Sequence, residues 1–251
     1  MQSVPHDHAA VGAGTSDWRS AARLIDHTLL RPEATAAAVA RLCKEALHFQ
    51  FAAVCINPMH VALAAWELRD TPVRVAAVVG FPLGATLATV KRFEAAEAIR
   101  LGADELDMVL NVGALKAGDR RLVENDIRTV TRPAHETGVL VKVILETALL
   151  TQEEKVTACE LALAAEADFV KTSTGFGGGG ATAADVALMR GVVGNRAGVK
   201  AAGGIRTAAD VATMVAAGAD RIGTSNGVAI MRELSAPPLA PNGPANSSPG
   251  Y

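Results

Sequence analysis

Lys171 and Lys200 each close a short apolar run, and each is followed at once by a turn of small polar residues and glycine. The two segments read Asp168-Phe169-Val170-Lys171-Thr172-Ser173-Thr174-Gly175 and Gly198-Val199-Lys200-Ala201-Ala202-Gly203-Gly204. A lysine at the tip of a buried parallel strand is out of place on hydrophobicity grounds, because burial disfavours its charged form and drives its pKa down. Two such lysines on neighbouring strands are expected to depress each other further, which is how an amine becomes a nucleophile near neutral pH. The pair points to carbonyl chemistry through a Schiff base. Which of the two would be the nucleophile is not written in the sequence.

Other charged residues fall inside apolar runs. Asp26 is expected at the end of a first strand, Asp107 within a fourth, and Lys142 and Glu146 on a fifth. Charges in apolar strands are costly unless paired, so these groups should form one connected network with Lys171 and Lys200. Lys142 and Glu146 read more readily as ion pairs that tie the strands together. The two strand-end lysines read as functional, because perturbed charges converging at one rim mark reactive sites.

The glycine-rich turns point to a phosphate. After Lys200 comes Ala201-Ala202-Gly203-Gly204-Ile205-Arg206, and after the last apolar run comes Thr224-Ser225-Asn226-Gly227. Gly203 and Gly204 let backbone N–H groups approach phosphate oxygens, Thr224 and Ser225 offer hydroxyls and Arg206 a charge, and residues 172–175, ending in Gly175, close a third side. The glycine run 177–180 reads as either a mobile flap or a loose loop. Cys55 reads as a buried apolar thiol. The stretch Phe81-Pro82-Leu83-Gly84 is either an apolar wall for a small aldehyde or a structural turn.

Eight β-rich runs carry these residues, at 23–27, 51–55, 73–79, 104–110, 140–145, 168–171, 198–201 and 221–223. Helical patterns rich in Ala, Leu, Glu and Arg lie between them, the clearest at 35–49, 89–101, 124–136 and 152–164, with two more at 183–190 and 208–217. Thr151-Gln152-Glu153-Glu154 has the capping-box pattern. Leu101-Gly102-Ala103-Asp104 and Ala217-Gly218-Ala219-Asp220 mark junctions where glycine stops a helix just before a strand. Evenly spaced βα units over this length predict an α/β protein with a single-domain (β/α)8 TIM barrel, its site at the C-terminal strand ends. A doubly wound open sheet is the rival, but no glycine fingerprint follows the first strand.

Composition narrows the field. Half of the 251 residues are hydrophobic and only 4% aromatic, so the core must be built from Ala, Val, Leu and Ile. A net charge of -2 carries no footprint for nucleic acid or an anionic membrane. No run approaches the roughly 20 apolar residues of a membrane span, and no signal core opens the chain. Cys43, Cys55 and Cys159 are too scattered for disulfides or a zinc site, so reduced thiols in the cytoplasm are expected and no metal or cofactor is implied. Residues 1–20, with His6 and His8, and 235–251, rich in Pro, Ala, Ser and Asn, are expected to be flexible tails around a catalytic domain at 21–234.

With these residues placed, the chain resembles the deoxyribose-phosphate aldolases, class I enzymes. The resemblance rests on Ile25-Asp26-His27-Thr28-Leu29-Leu30, Gly80-Phe81-Pro82-Leu83-Gly84, Asp104-Glu105-Leu106-Asp107-Met108-Val109, Val170-Lys171-Thr172-Ser173-Thr174-Gly175 and Val199-Lys200-Ala201-Ala202-Gly203-Gly204-Ile205-Arg206. It implies reversible cleavage of 2-deoxyribose 5-phosphate into glyceraldehyde 3-phosphate and acetaldehyde. It further implies an imine on Lys171, with Lys200 keeping that amine partly unprotonated by like-charge repulsion. Asp107 would take the C3 hydroxyl proton through a water. It also implies small phosphosugar and aldehyde substrates, and a homo-oligomer, dimer or tetramer. Some members carry a lysine where this chain has Phe176, which shifts phosphate affinity towards backbone donors and Arg206. Some end in a tyrosine like Tyr251, implicated in protonating the enamine. Two rival readings remain, a phosphosugar isomerase or epimerase using carboxylates alone and a non-catalytic barrel that binds a phosphorylated ligand.

Overall fold

Alternating short β-branched runs and alanine-rich amphipathic segments fold as βα units, and the computed structural model describes residues 18–235. Eight parallel strands pair in chain order and close when β8 joins β1: β1 (Ile25–Leu29), β2 (Ala53–Ile56), β3 (Arg74–Val79), β4 (Glu105–Val109), β5 (Leu140–Ile144), β6 (Phe169–Lys171), β7 (Gly198–Ala202) and β8 (Arg221–Thr224). This is a TIM barrel in one domain, not an open sheet. The helices are α1 (Trp18–Ala22), α2 (Ala36–Phe49), α3 (Val61–Glu67), α4 (Ala88–Arg100), α5 (Val112–Lys116), α6 (Arg120–Glu136), α7 (Gln152–Ala164), α8 (Ala183–Val193), α9 (Ala208–Ala216) and α10 (Gly227–Ser235).

Local chemistry sets the joints. Thr151 caps α7 in a reciprocal capping box with Glu154, and Thr207 does the same for α9 with Asp210. Gly102 and Gly218 take positive φ (104° and 106°) between helix and strand. Helices α1, α3, α5 and α10 have no counterpart among the expected helices; α5 is only five residues long, begun by the Asn111 side chain accepting from the Ala114 N–H. Helices α1 and α10 also take in residues 18–20 and 235, positions expected in the tails. Tyr251, His6 and His8 lie outside the described residues. No helix among the described residues is long and apolar enough to cross a membrane.

Most of the apolar core lies between strands and helices, where Val39, Val54, Leu106, Ile127, Val141 and Val199 are fully buried. The barrel interior is different. Strands β2 and β3 fill their share with Ala53, Cys55, Ala76 and Val78, a small cluster of its own with Leu30. The other side of the interior is ionic, and that division positions the site.

Candidate active site

Strand periodicity of two sends alternate residues inward, so Glu105 and Asp107 of β4 share one face. Asp107 is the hub. Its Oδ1 accepts from Lys142 Nζ at 2.8 Å, and its Oδ2 accepts from both Lys171 Nζ and Lys200 Nζ at 2.7 Å. The Cys55 thiol donates weakly to the same Oδ2 at 3.8 Å. Lys200 also pairs with Asp26 and Lys142 with Glu105, while Arg221 forks between Asp26 and Glu105. Strand pairing sets Lys171 directly beside Lys200.

The electrostatics differ from expectation. Burial pulls Lys200 down, but Asp107 and Asp26 outweigh it and hold the amine well above the ordinary lysine range. Lys142 is likewise raised, against the pull of burial, by Asp107 and Glu105. Lys200 is therefore not one of two mutually depressed lysines, because a carboxylate oxygen lies between it and Lys171. Burial alone would raise Asp107, yet Lys142, Lys171 and Lys200 together hold it well below the carboxylate range. Asp26 is lowered too, as Arg221, Lys200 and Lys142 overcome its burial.

Two placements need correction. Asp26 is the second residue of β1, not its end, because Thr28 and Leu29 continue the strand in register with Cys55 and Ile56. It lies below the rim and supports Lys200 there. Glu146 does not join the lysine network; its carboxylate accepts from the Thr174 N–H and hydroxyl across the β5–β6 rim. Lys142 does belong to the network.

Above the network opens a cavity of about 290 Å³, lined by Lys171 and by Gly175, Gly203, Gly204, Arg206, Thr224 and Ser225, all expected at a phosphate, whereas Thr172 and Ser173 of the expected third side are fully buried and do not line it. Of the network cations only Lys171 reaches it. Thr28 and Asn226, not foreseen, also line it. The backbone N–H groups of Gly175, Gly203 and Gly204 have no acceptor among the described residues, which leaves donors free at the cavity wall. Phe176 is 51% exposed at the mouth, edge-on to Phe81 with centroids 5.4 Å apart. Glu105 and Arg221 also escaped the sequence reading, although the spacing of Glu105 and Asp107 alone puts both on one strand face.

The glycine run packs closely against its neighbours. A Cβ on Gly180 would lie 2.5 Å from the Gly203 carbonyl oxygen, which already accepts from the Ala181 N–H at 3.0 Å. The loops after β6 and β7 are thus joined backbone to backbone. Gly180→Ala should lower unfolding free energy by about 1–3 kcal/mol, since the obstructing atom is backbone and cannot rotate away. Urea denaturation checks this; a stability equal to wild type would mean that the loops separate freely.

A closed parallel barrel with a buried lysine–carboxylate centre beneath a glycine-rimmed cavity is the build of a barrel enzyme reacting at its C-terminal strand ends. A family profile described as DeoC/LacD family aldolase matches residues 20–235, and the chain belongs to this family; it is an aldolase and so a lyase. The deoxyribose-phosphate aldolase of Thermococcus kodakarensis is 60% identical over 215 residues, covering 85% of this chain and 96% of the relative. That of Halalkalibacterium halodurans is 58% identical over 214 residues, covering 85% and 95%. Among solved structures, a tetrameric deoxyribose phosphate aldolase from Aeropyrum pernix superposes with a TM-score of 0.81 at 33% identity, covering 86% of this chain and 91% of that one.

Proposed function

We propose that this aldolase reversibly cleaves 2-deoxyribose 5-phosphate to glyceraldehyde 3-phosphate and acetaldehyde through an imine on Lys171. One observation carries the choice of lysine. The buried network sets three carboxylates, Asp26, Glu105 and Asp107, against four cations, Lys142, Lys171, Lys200 and Arg221, and Lys171 is the cation that faces the cavity. The names of the relatives support the substrate.

Lys171 Nζ attacks the sugar aldehyde carbon as the free amine, and water leaves with uptake of one proton from solvent, giving an iminium; that proton is returned when the amine is restored. The surplus positive charge now sits on carbon–nitrogen, so the C2–C3 electron pair flows into it when that bond breaks, leaving a neutral enamine. The C3 hydroxyl proton passes through a water to Asp107, and glyceraldehyde 3-phosphate departs. Protonation of the enamine at C2 and addition of water release acetaldehyde and restore the amine. Lys200 holds Asp107 in place and shares in proton transfer. Gly175, Gly203, Gly204, Arg206, Thr224 and Ser225 take the phosphate, by backbone donors, hydroxyls and one charge. The reading also includes a homo-oligomer, dimer or tetramer, checked by light scattering, and a cytoplasmic setting, checked by fractionation.

Acetaldehyde with borohydride should add a two-carbon unit to the peptide containing Lys171. No adduct, or an adduct that maps to Lys200, sinks this assignment.

A further inference from the structure

Glu146 follows β5 and is 3% exposed. Its backbone is left-handed (φ 58°, ψ 60°), a conformation that an ordinary side chain adopts at some cost and that marks positions the surrounding structure holds for a purpose. On either side of it the chain is fastened to β6: the Leu145 N–H donates to the Lys171 carbonyl at 2.9 Å, and the Thr147 N–H to the Thr172 carbonyl at 3.0 Å. The left-handed step turns the intervening carboxylate over the end of β6. There both oxygens lie 3.3 Å from the Thr174 nitrogen, and one also accepts from the Thr174 hydroxyl. That hydroxyl in turn accepts from the Phe176 N–H at 3.0 Å. Gly177 passes so close that a Cβ there would lie 2.7 Å from the Glu146 carboxyl carbon.

A single buried carboxylate therefore organises the whole turn from Thr174 to Gly177. Thr174, Gly175 and Phe176 of that turn line the cavity beside Lys171. The clamp engages the N–H groups of Thr174 and Phe176, leaving that of Gly175, between them, without an acceptor among the described residues.

We propose that Glu146 is a positioning residue for the phosphate end of the substrate, clamping the turn after β6 so that the Gly175 N–H is held towards the anion. This deepens the proposed cleavage of a phosphorylated sugar and rests on it. Glu146 touches neither the reacting carbons nor Lys171, so its loss should be felt in recognition and not in imine chemistry.

The test compares 2-deoxyribose 5-phosphate with unphosphorylated 2-deoxyribose as substrates for Glu146→Gly, Glu146→Gln and Thr174→Val, alongside borohydride trapping with acetaldehyde. Glycine is at ease in the left-handed region, so Glu146→Gly removes the carboxylate while leaving the backbone path available. It should raise KM for the phosphorylated sugar about tenfold or more, with kcat within about threefold and kcat/KM on the unphosphorylated sugar within about twofold. Trapping at Lys171 should match wild type. Glu146→Gln keeps one carbonyl oxygen for the Thr174 N–H and should recover most of the loss. An unchanged KM in Glu146→Gly, or equal losses on both sugars, overturns the inference. If Glu146→Gly does not fold, Thr174→Val reads the same clamp from its other side, and absence of the KM split there overturns it equally. Failure of wild-type trapping would instead remove the underlying reaction, an outcome that the variants cannot mimic.

Discussion

Asp107→Asn should lower kcat by about a thousandfold while acetaldehyde is still trapped on the protein by borohydride. The two halves of that result separate two roles. In the proposed reaction, imine formation needs the amine of Lys171, which the substitution leaves in place, whereas breaking the C2–C3 bond needs an acceptor for the hydroxyl proton. Asparagine keeps the shape of the side chain and accepts through one oxygen only, so it cannot hold Lys142 on one side and both Lys171 and Lys200 on the other as the carboxylate does. Single-turnover kinetics with 2-deoxyribose 5-phosphate, run beside the trapping assay, would read both steps. Near-normal turnover in Asp107→Asn would assign the proton to another group and refute the role given to Asp107.

Lys200→Met should cost about 3–5 kcal/mol of stability, the range observed when one partner of a buried ion pair is removed and the other is left behind. Lys200 is fully buried and stands between Asp26 and Asp107, so methionine fills much of its volume but takes one cation from each carboxylate, leaving Asp26 to Arg221 and Asp107 to Lys142 and Lys171. The pH dependence provides a second readout. Asp26 and Asp107 have lowered folded pKa values, so their contribution is present above the ordinary carboxylate pKa, roughly pH 4, and is lost as pH falls towards the folded values. Lys200 has a raised folded pKa, so its contribution is complete below the ordinary lysine pKa, roughly pH 10, and is lost only as pH rises beyond it towards the higher folded value. Wild-type stability from this network should be level between roughly pH 5 and 10. In Lys200→Met the acid limb should be smaller and level off at higher pH, because the carboxylates lose one of the charges that lowered them. Urea titrations across this range check it, and an unshifted acid limb would show that Lys200 does not hold the carboxylates down.

The barrel was legible because its signals are local and repeated. Each of the eight apolar runs became a strand, and glycine stops such as Gly102 and Gly218 fell where helix gives way to strand. The cavity residues were legible for a similar reason, since position after a strand already fixes a side of the barrel. What the sequence could not carry was the meeting of charges across the interior. The depressed lysine pair followed from burial and like charge alone; once Asp107 stands between Lys171 and Lys200, the sign reverses for Lys200. Asp26 sits below the rim because the first strand runs past His27 to Leu29. Glu146 reads as one more strand charge in need of a partner, but it follows β5 and its left-handed backbone turns it to the rim and to Thr174. None of these depends on a pattern within one segment.

The contact between Gly180 and Gly203 bears on how this site can diverge. With the loops after β6 and β7 joined at their backbones, an insertion or a bulkier residue in one disturbs the other, and both change together or not at all. That half of the mouth is a poor place for new specificity to arise by single steps. On the opposite half, where Leu29, Leu30 and Arg31 meet the cavity, no backbone bond joins that loop to a neighbouring one among the described residues, and the Asn57 side chain holds it by donating to the Leu30 carbonyl. Successive substitutions there can widen or reshape the entrance without disturbing the joined loops, so variation at the mouth is expected on one side of the barrel and constancy on the other.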